Sequence, residues 1–420
     1  MSSLFYHKMM NKHKILILGA GEGQVPLIRR AKSAGWFVIV VSPQGDYPGF
    51  ALAELCFFAD ITDYKTILQI AKDEQIEAIA TDQTDISVPT VQYVAEELNL
   101  PHIDCEDVEN FHYKSRMRSI CQKAGLPTIQ SAITSTLEEA ETFFIAHHNE
   151  SAIIKPTDSQ GSRGVLRVDS LGELREAYHE ALHFSKEKKV IIEQFIDGQE
   201  IEIDTIVKDG DIKGCLIGDV YNFDVKNTFS AYERIYPTSY SNEMQEQIYF
   251  VNAATLHALG MRTGWTHGEY IVAKDGTIYL IEVGARGGGN YIGSDIVRTM
   301  LGVGTQEMAF KASIGDKSFY EKIGLRNTFC AYKCFYLPEG EIKSIRIDAE
   351  YLKRSYVITH NLYALQIGMQ THSNTDKTSR YTVLIQADSR EQLQERLADI
   401  PNHIAIDVKT NHGIEQPIWK

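Results

Sequence analysis

No two cysteines in this 420-residue chain stand in a CxxC arrangement, and the six present (Cys56, Cys105, Cys121, Cys215, Cys330, Cys334) follow no framework spacing. A disulfide-stapled secreted domain is therefore excluded, and free thiols in a reducing cytosol are expected. Cys330 and Cys334 lie four apart, but nothing nearby completes a zinc site. No apolar run approaches the roughly 18 residues of a membrane span. The first dozen residues lack the hydrophobic core of a secretory signal, so a cytoplasmic protein is expected, with 1–13 as a disordered tail. Positive charge is short as well. Lys and Arg number 42 against 56 Asp and Glu, a net charge of −14 and the wrong sign for a nucleic-acid partner. An anionic ligand would have to rely on local lysines, arginines and backbone N–H groups.

The familiar nucleotide loops are missing too. GxxxxGK[ST] does not occur. Gly19-Ala20-Gly21-Glu22-Gly23 follows a first strand but has GxGxG spacing, and no acid stands near 40–42 to hold a ribose. These glycines read instead as a tight turn or as the lining of a cleft for a small carboxylate or amine. No Ser/His/Asp or Cys/His nucleophile is evident.

Against these absences stands one stretch, Trp265-Thr-His-Gly-Glu269-Tyr-Ile-Val-Ala-Lys-Asp-Gly-Thr-Ile-Tyr-Leu-Ile-Glu282-Val-Gly-Ala-Arg286. Two runs rich in β-branched and aromatic residues flank Asp275-Gly276, the signal for a two-residue type I′ turn. That turn pairs Lys274 with Thr277 and sets Glu269 directly across from Glu282, with Cβ atoms roughly 5 Å apart. Like charges so placed destabilise a hairpin. A hard divalent cation between them, Mg²⁺ first among candidates, relieves the conflict; the plainer alternative is that Arg286 pairs with Glu282.

The length asks for two to four domains, and 43% apolar residues supply the cores. Strands near 14–18, 38–41 and 76–80, with helices over 25–33 and 64–73 between them, predict a doubly wound parallel sheet. The loop Thr81-Asp82-Gln83-Thr84-Asp85 leaves the third strand at its carboxyl end, where such sheets bind ligands. Pro101 and 102–109 mark a boundary. Lys114 opens a helix over 115–124, where the macrodipole disfavours a cation. Either it is simply solvated or it helps the helix terminus hold an anion. Lys155 ends a strand that breaks into Ser159-Gln160-Gly161-Ser162-Arg163-Gly164-Val165, a loop that can wrap phosphates through backbone N–H groups or serve as a plain surface turn. Further on, 190–196 is an apolar strand ending in Glu193-Gln194-Phe195-Ile196, and Phe195 and Ile196 could lie against a purine. From 201 to 207, Ile201, Ile203 and Val207 share one face while Glu200, Glu202 and Asp204 share the other. An aromatic-rich loop is expected over 221–240, and short strands with a late helix beyond 321.

The order of these parts resembles the ATP-grasp superfamily over nearly the whole chain. The resemblance implies an α/β and α+β multidomain protein: a doubly wound domain at 14–110, a two-lobed ATP-grasp clamp at 111–316 and a small α+β domain at 317–420. By similarity, Lys114 and Lys155 match the phosphate-contacting lysines, and Ser159, Gly161, Ser162, Arg163 and Gly164 belong to the mobile phosphate-covering loop. Glu193, Gln194, Phe195 and Ile196 match the adenine strand, and Glu200 matches the acid on the ribose. Glu269 and Glu282 match the Mg²⁺ carboxylates, with Mn²⁺ as an alternative ion. Lys155 and Arg286 would serve catalysis. The family often has Glu-x-Asn-x-Arg where this chain has Glu282-Val-Gly284-Ala-Arg286. Gly284 offers no side-chain oxygen, so His267, Asn290 or water would have to help hold a second ion. The resemblance implies an ATP-dependent carboxylate–amine ligase working through an acyl phosphate. A carboxylase or formyl-transfer enzyme, or a non-catalytic ATP-binding protein, is the alternative. Small carboxylate and amine substrates are the partners implied, with no nucleic acid and no membrane, and a homodimer is the usual assembly.

Overall fold

The computed structural model describes residues 13–147, 150–157, 164–224, 228–372 and 380–420. Its first strands, β1 (Lys14–Leu18), β2 (Phe37–Ser42), β3 (Leu55–Phe58) and β4 (Ala78–Ala80), form a parallel sheet in the order β3-β2-β1-β4. β2 is buried at every residue, as helices on both faces require. β3 has no counterpart in the sequence reading. The 19–23 turn and the 81–85 loop leave the carboxyl ends of the adjacent strands β1 and β4.

A two-residue strand β5 (Asp104–Cys105) then pairs with the later strand 261–273. The next sheet is antiparallel, made of β6 (Ser131–Thr134), β7 (Ala152–Pro156), β8 (Leu166–Val168) and β9 (Val190–Gln194), in the order β6-β9-β7-β8. Its period of two sorts the side chains. Ala152, Ile154, Val190 and Ile192 join Phe144, Leu174 and Tyr178 of two covering helices, while Ile153, Lys155, Ile191 and Glu193 line a cleft.

The largest sheet starts with β10 (Gly198–Lys208), β11 (Asp211–Asn222), β12 (Ala231–Tyr236), β13 (Met261–Ala273) and β14 (Ile278–Gly284). Beyond residue 316 come β15 (Phe329–Phe335), β16 (Gly340–Ile347), β17 (Val357–His360), β18 (Gln370–Thr371), β19 (Tyr381–Ala387), β20 (Ile404–Thr410) and β21 (Gly413–Glu415). Strand order is β14-β13-β10-β11-β12-β15-β19-β17. The sheet therefore crosses the boundary expected near 316, and only β16, β18, β20 and β21 form a separate small sheet. One face of the large sheet packs Ile201, Ile203, Tyr270, Val272 and Leu280 against the helix Asn242–Ala258. The opposite face carries the acids.

Two expectations are corrected. The 221–240 segment is not a loop throughout: β11 runs to Asn222 and β12 occupies Ala231–Tyr236. Tyr221 and Phe223 pack their rings against Tyr232 across the two strands. The hairpin turn is also different. Ala273 N–H donates to Thr277 at 2.8 Å and only Gly276 has positive φ (85°), a three-residue turn closed by a left-handed glycine. A type I′ turn would need positive φ at Asp275 as well. This shifts Tyr270 opposite Leu280, and an irregularity between Glu269 and Tyr270 then restores Glu269 opposite Glu282. The facing glutamates were right although the turn was wrong, because two one-residue offsets cancel.

Candidate functional site

Three strands bring one row of acids together. Glu282 on β14 faces Glu269 on β13, and Glu269 faces Glu202 on β10. The next row on the same face is Gly284, His267 and Asp204. Adjacent carboxylates with this spacing repel, so the sheet must recruit cations around them. The Lys114 ammonium lies 2.6 Å from Glu282. Burial opposes its charge, yet the Glu282 carboxylate holds the Lys114 pKa above its ordinary value. Glu202, fully buried, is ion-paired with Arg234 and accepts a hydrogen bond from the Tyr236 hydroxyl at 2.7 Å. Asp204 lies 3.0 Å from His267 Nδ1. Burial disfavours the imidazolium, but Asp204 and then Glu202 outweigh it and raise the His267 pKa. Glu269 has no hydrogen bond or ion pair among the described residues.

Arg286 does not pair with Glu282. It forms a two-pronged bond to Asp85, Nε to Oδ1 at 2.8 Å and Nη2 to Oδ2 at 3.0 Å. Asp85 comes from the 81–85 loop of the first sheet, so the amino-terminal domain holds this arginine. Asp82 of the same loop is wholly buried and accepts from Thr305 Oγ1 (2.7 Å) and Gly287 N–H (3.1 Å). Burial outweighs those bonds and pushes the Asp82 carboxyl up to about 6. A Cβ at Gly284 would stand 2.3 Å from Asp85 Oδ1, so the Asp85–Arg286 pair fills the space a side chain there would need.

Across the cleft, Glu193 sits between two cations: Lys155 Nζ at 2.5 Å and the Arg118 guanidinium at 3.2 Å. Burial would raise the Glu193 pKa, but the two cations bring it down to about 2. Lys155 is buried beside this one acid and the cations Arg118 and Lys114, so desolvation wins there and its pKa falls. One acid shared by two cations accounts for both directions. Arg118 also donates to the carbonyls of Leu280 (2.6 Å) and Ile281 (2.9 Å), which fastens β9 to β14.

The β6–β9 sheet and the large sheet enclose one cleft of about 2230 Å³. Lys114, Lys155, Glu193 and Gln194 line it, as do Phe195, Ile196, Glu200, Glu269, Glu282 and Arg286. The Arg167 guanidinium lies 4.1 Å over the Phe195 ring, and Asn222 donates to Glu200 at 2.6 Å. Gly164 lies outside the lining and packs on Phe184 and Pro156. Ser159, Gly161, Ser162 and Arg163 lie outside the described residues.

Sequence reasoning missed Arg118, Arg234 and the role of Asp82 and Asp85. Arg118 was within reach, since it stands four residues after Lys114 on the same helix face. Arg234 was hidden because β12 was read as a loop. The oxygen-only pair Glu269 and Glu282, facing a cleft with cations on its far wall, suits a hard divalent ion such as Mg²⁺.

Residues 148–295 match the family model described as ATP-grasp domain. A D-alanine–D-alanine ligase of Geobacillus thermodenitrificans (strain NG80-2) is 27% identical over 209 residues, 46% of this chain and 56% of that protein. The chain thus spans about half the length of the curated relatives it matches. Among solved structures, an L-amino acid ligase from Bacillus licheniformis superposes with TM-score 0.80 at 23% identity, over 95% of this chain and 99% of that one. A phosphoribosylglycinamide synthetase from Anaerococcus prevotii gives 0.74 at 19%, covering 95% and 100%. An N5-carboxyaminoimidazole ribonucleotide synthetase from Thermotoga maritima gives 0.68 at 15%, covering 94% and 99%. Residues 148–295 thus carry a match to an ATP-grasp domain, and the structure sets two facing sheets around a cleft lined by lysines and carboxylates, a fold shared with these solved structures.

Proposed function

We propose that the protein is an ATP-dependent carboxylate–amine ligase. An oxygen of a small carboxylate, an amino acid being the preferred candidate, attacks the γ-phosphorus of ATP, and ADP leaves. The amine nitrogen then attacks the acyl carbon of the acyl phosphate, inorganic phosphate leaves, and the nitrogen gives up a proton as the amide forms. Phosphoryl transfer of this kind needs positioning and charge neutralisation more than covalent help. Residues 193–196 take the base, Glu200 the ribose and Lys114 with Lys155 the phosphates. Arg286 holds the substrate carboxylate or the moving phosphoryl group. Bound between Glu269 and Glu282, Mg²⁺ would neutralise phosphate charge as it develops. The 159–165 segment is proposed to cover the phosphates, since an acyl phosphate must be kept from water. A cytoplasmic setting and a homodimer belong to the same proposal. Among the described residues no helix is long and apolar enough to cross a membrane.

The observation that carries this reading is Glu269, a carboxylate on the cleft wall in a row of acids, with no hydrogen bond or ion pair among the described residues. Hydroxylamine trapping with ATP, Mg²⁺ and pooled carboxylic acids is expected to yield a hydroxamate that names the activated acid. ADP production dependent on bicarbonate alone would move the protein to the carboxylases. Tight ATP binding with no turnover across the pools would make it a regulatory binder.

A further inference from the structure

His267 has no place in the reaction just described, yet it is buried in the wall of the reaction cleft. Its Nδ1 is taken by Asp204 Oδ1 at 3.0 Å. A carboxylate on one ring nitrogen orients the ring, the arrangement found around metal-binding imidazoles, so that once a cation displaces the other nitrogen's proton its lone pair points outward. Nε2 does face acids. Glu202 Oε1 lies 3.8 Å away, beyond hydrogen-bond range, and no hydrogen bond to Nε2 occurs among the described residues. One ligand atom each from Glu202, His267 and Glu269 lie within 4.8 Å of one another.

The rest of the row explains why a cation would settle here. A residue at 284 cannot contribute, because Asp85 and Arg286 occupy the space beside it. On the other side of Glu269, Asp204 and Glu202 are both buried, and Asp204 Oδ2 has no hydrogen-bond partner among the described residues. Three carboxylates meet there with Arg234 as the paired guanidinium. The surplus of negative charge suits a divalent ion.

We infer that Glu202, His267 and Glu269 form a divalent-cation site of their own, sharing Glu269 with the nucleotide's magnesium carboxylates. Its imidazole favours Mn²⁺ or another first-row transition ion over Mg²⁺. The inference assigns this chain's second cation to the His267 side of the row and rests on the proposed nucleotide reading only for the use made of it. Binding itself needs no nucleotide.

The test is a titration of the full chain with Mn²⁺ in the absence of nucleotide, in excess Mg²⁺, followed by electron paramagnetic resonance. One Mn²⁺ per chain is expected, with a nitrogen modulation in the pulsed spectrum from the imidazole. In His267→Asn the nitrogen modulation should vanish and Mn²⁺ affinity fall by about 10–100-fold. Glu202→Gln should weaken binding and keep the modulation. Absence of nucleotide-free Mn²⁺ binding, a bound ion without nitrogen coupling, or equal binding by wild type and His267→Asn would each overturn the site. If His267→Asn does not fold, the wild-type spectrum decides alone. A wild type that binds Mn²⁺ yet gives no hydroxamate would refute the ligase reading and leave this site standing.

Discussion

Two clusters of charge, one buried and the other partly exposed, face each other across the cleft, and they are built differently. In the Lys155–Glu193–Arg118 cluster one carboxylate serves two cations and both of its oxygens are engaged. On the opposite wall the carboxylates Glu202, Asp204, Glu269 and Glu282 are answered by Lys114, Arg234 and His267, and Glu269 has no hydrogen bond or ion pair among the described residues. One acid shared by two cations fastens the strands and still leaves a net positive charge on that wall, which an anion in the cleft can answer. An under-neutralised cluster of acids has paid for desolvation without recovering it, and a cation bound there recovers it. The contrast leaves the β10–β13–β14 wall as the one with carboxylates in excess of their cations.

The largest expected effect breaks the second cluster. Glu282→Ala should abolish ATP turnover, a fall of about a thousandfold or more, while circular dichroism and the unfolding midpoint stay near wild type. Wild-type turnover by that variant would remove the metal assignment. Next comes the first cluster, where Glu193→Gln strips a buried acid from two cations. Urea unfolding should show a loss of about 3–5 kcal/mol, so the same chemical change is structural on one wall and functional on the other.

Titration should sharpen the contrast. Glu193, held down at about 2, contributes stability that is present above the unfolded carboxyl range and lost as pH falls toward 2. Asp82, pushed up to about 6, has the opposite sign. Its contribution is present at pH below about 4 and is lost as pH rises through 6, a change of about 3 kcal/mol at most. Asp82→Asn should flatten the pH 4–6 part of the stability profile and leave the acid limb intact. The smallest effect concerns the domain contact. Gly284→Ala places a Cβ against Asp85 Oδ1, with a cost of about 1–3 kcal/mol. Asp85→Ala should cancel part of it in a double-mutant cycle. Strict additivity would show that the two residues do not compete for space.

Much of this was visible beforehand. The helices Val25–Ser33 and Tyr64–Glu74 fall where helices over 25–33 and 64–73 were expected. The separation of Ile201 and Ile203 from Glu202 and Asp204 follows from the period of a strand alone. Turn chemistry was less legible. Asp275-Gly276 fits both a two-residue and a three-residue loop, and the choice depends on strand twist and on where the neighbouring strand β10 fixes β13. The 221–240 segment failed because a strand of tyrosines and charges, flanked by Pro237, lacks the apolar alternation that marks a half-buried strand.

By itself the sequence determined which residues share a face, since that needs only the backbone period and the order of side chains. It thereby set Glu202 and Asp204 on one face, whereas Glu269 came to face Glu282 only because an irregularity between Glu269 and Tyr270 offset the three-residue turn. Which cation each acid received was decided by tertiary structure. Asp85 is some 200 positions from Arg286 and Lys114 is far from Glu282 in the chain. Coulomb energy depends on distance in space and on burial, and neither can be read from separation along a chain.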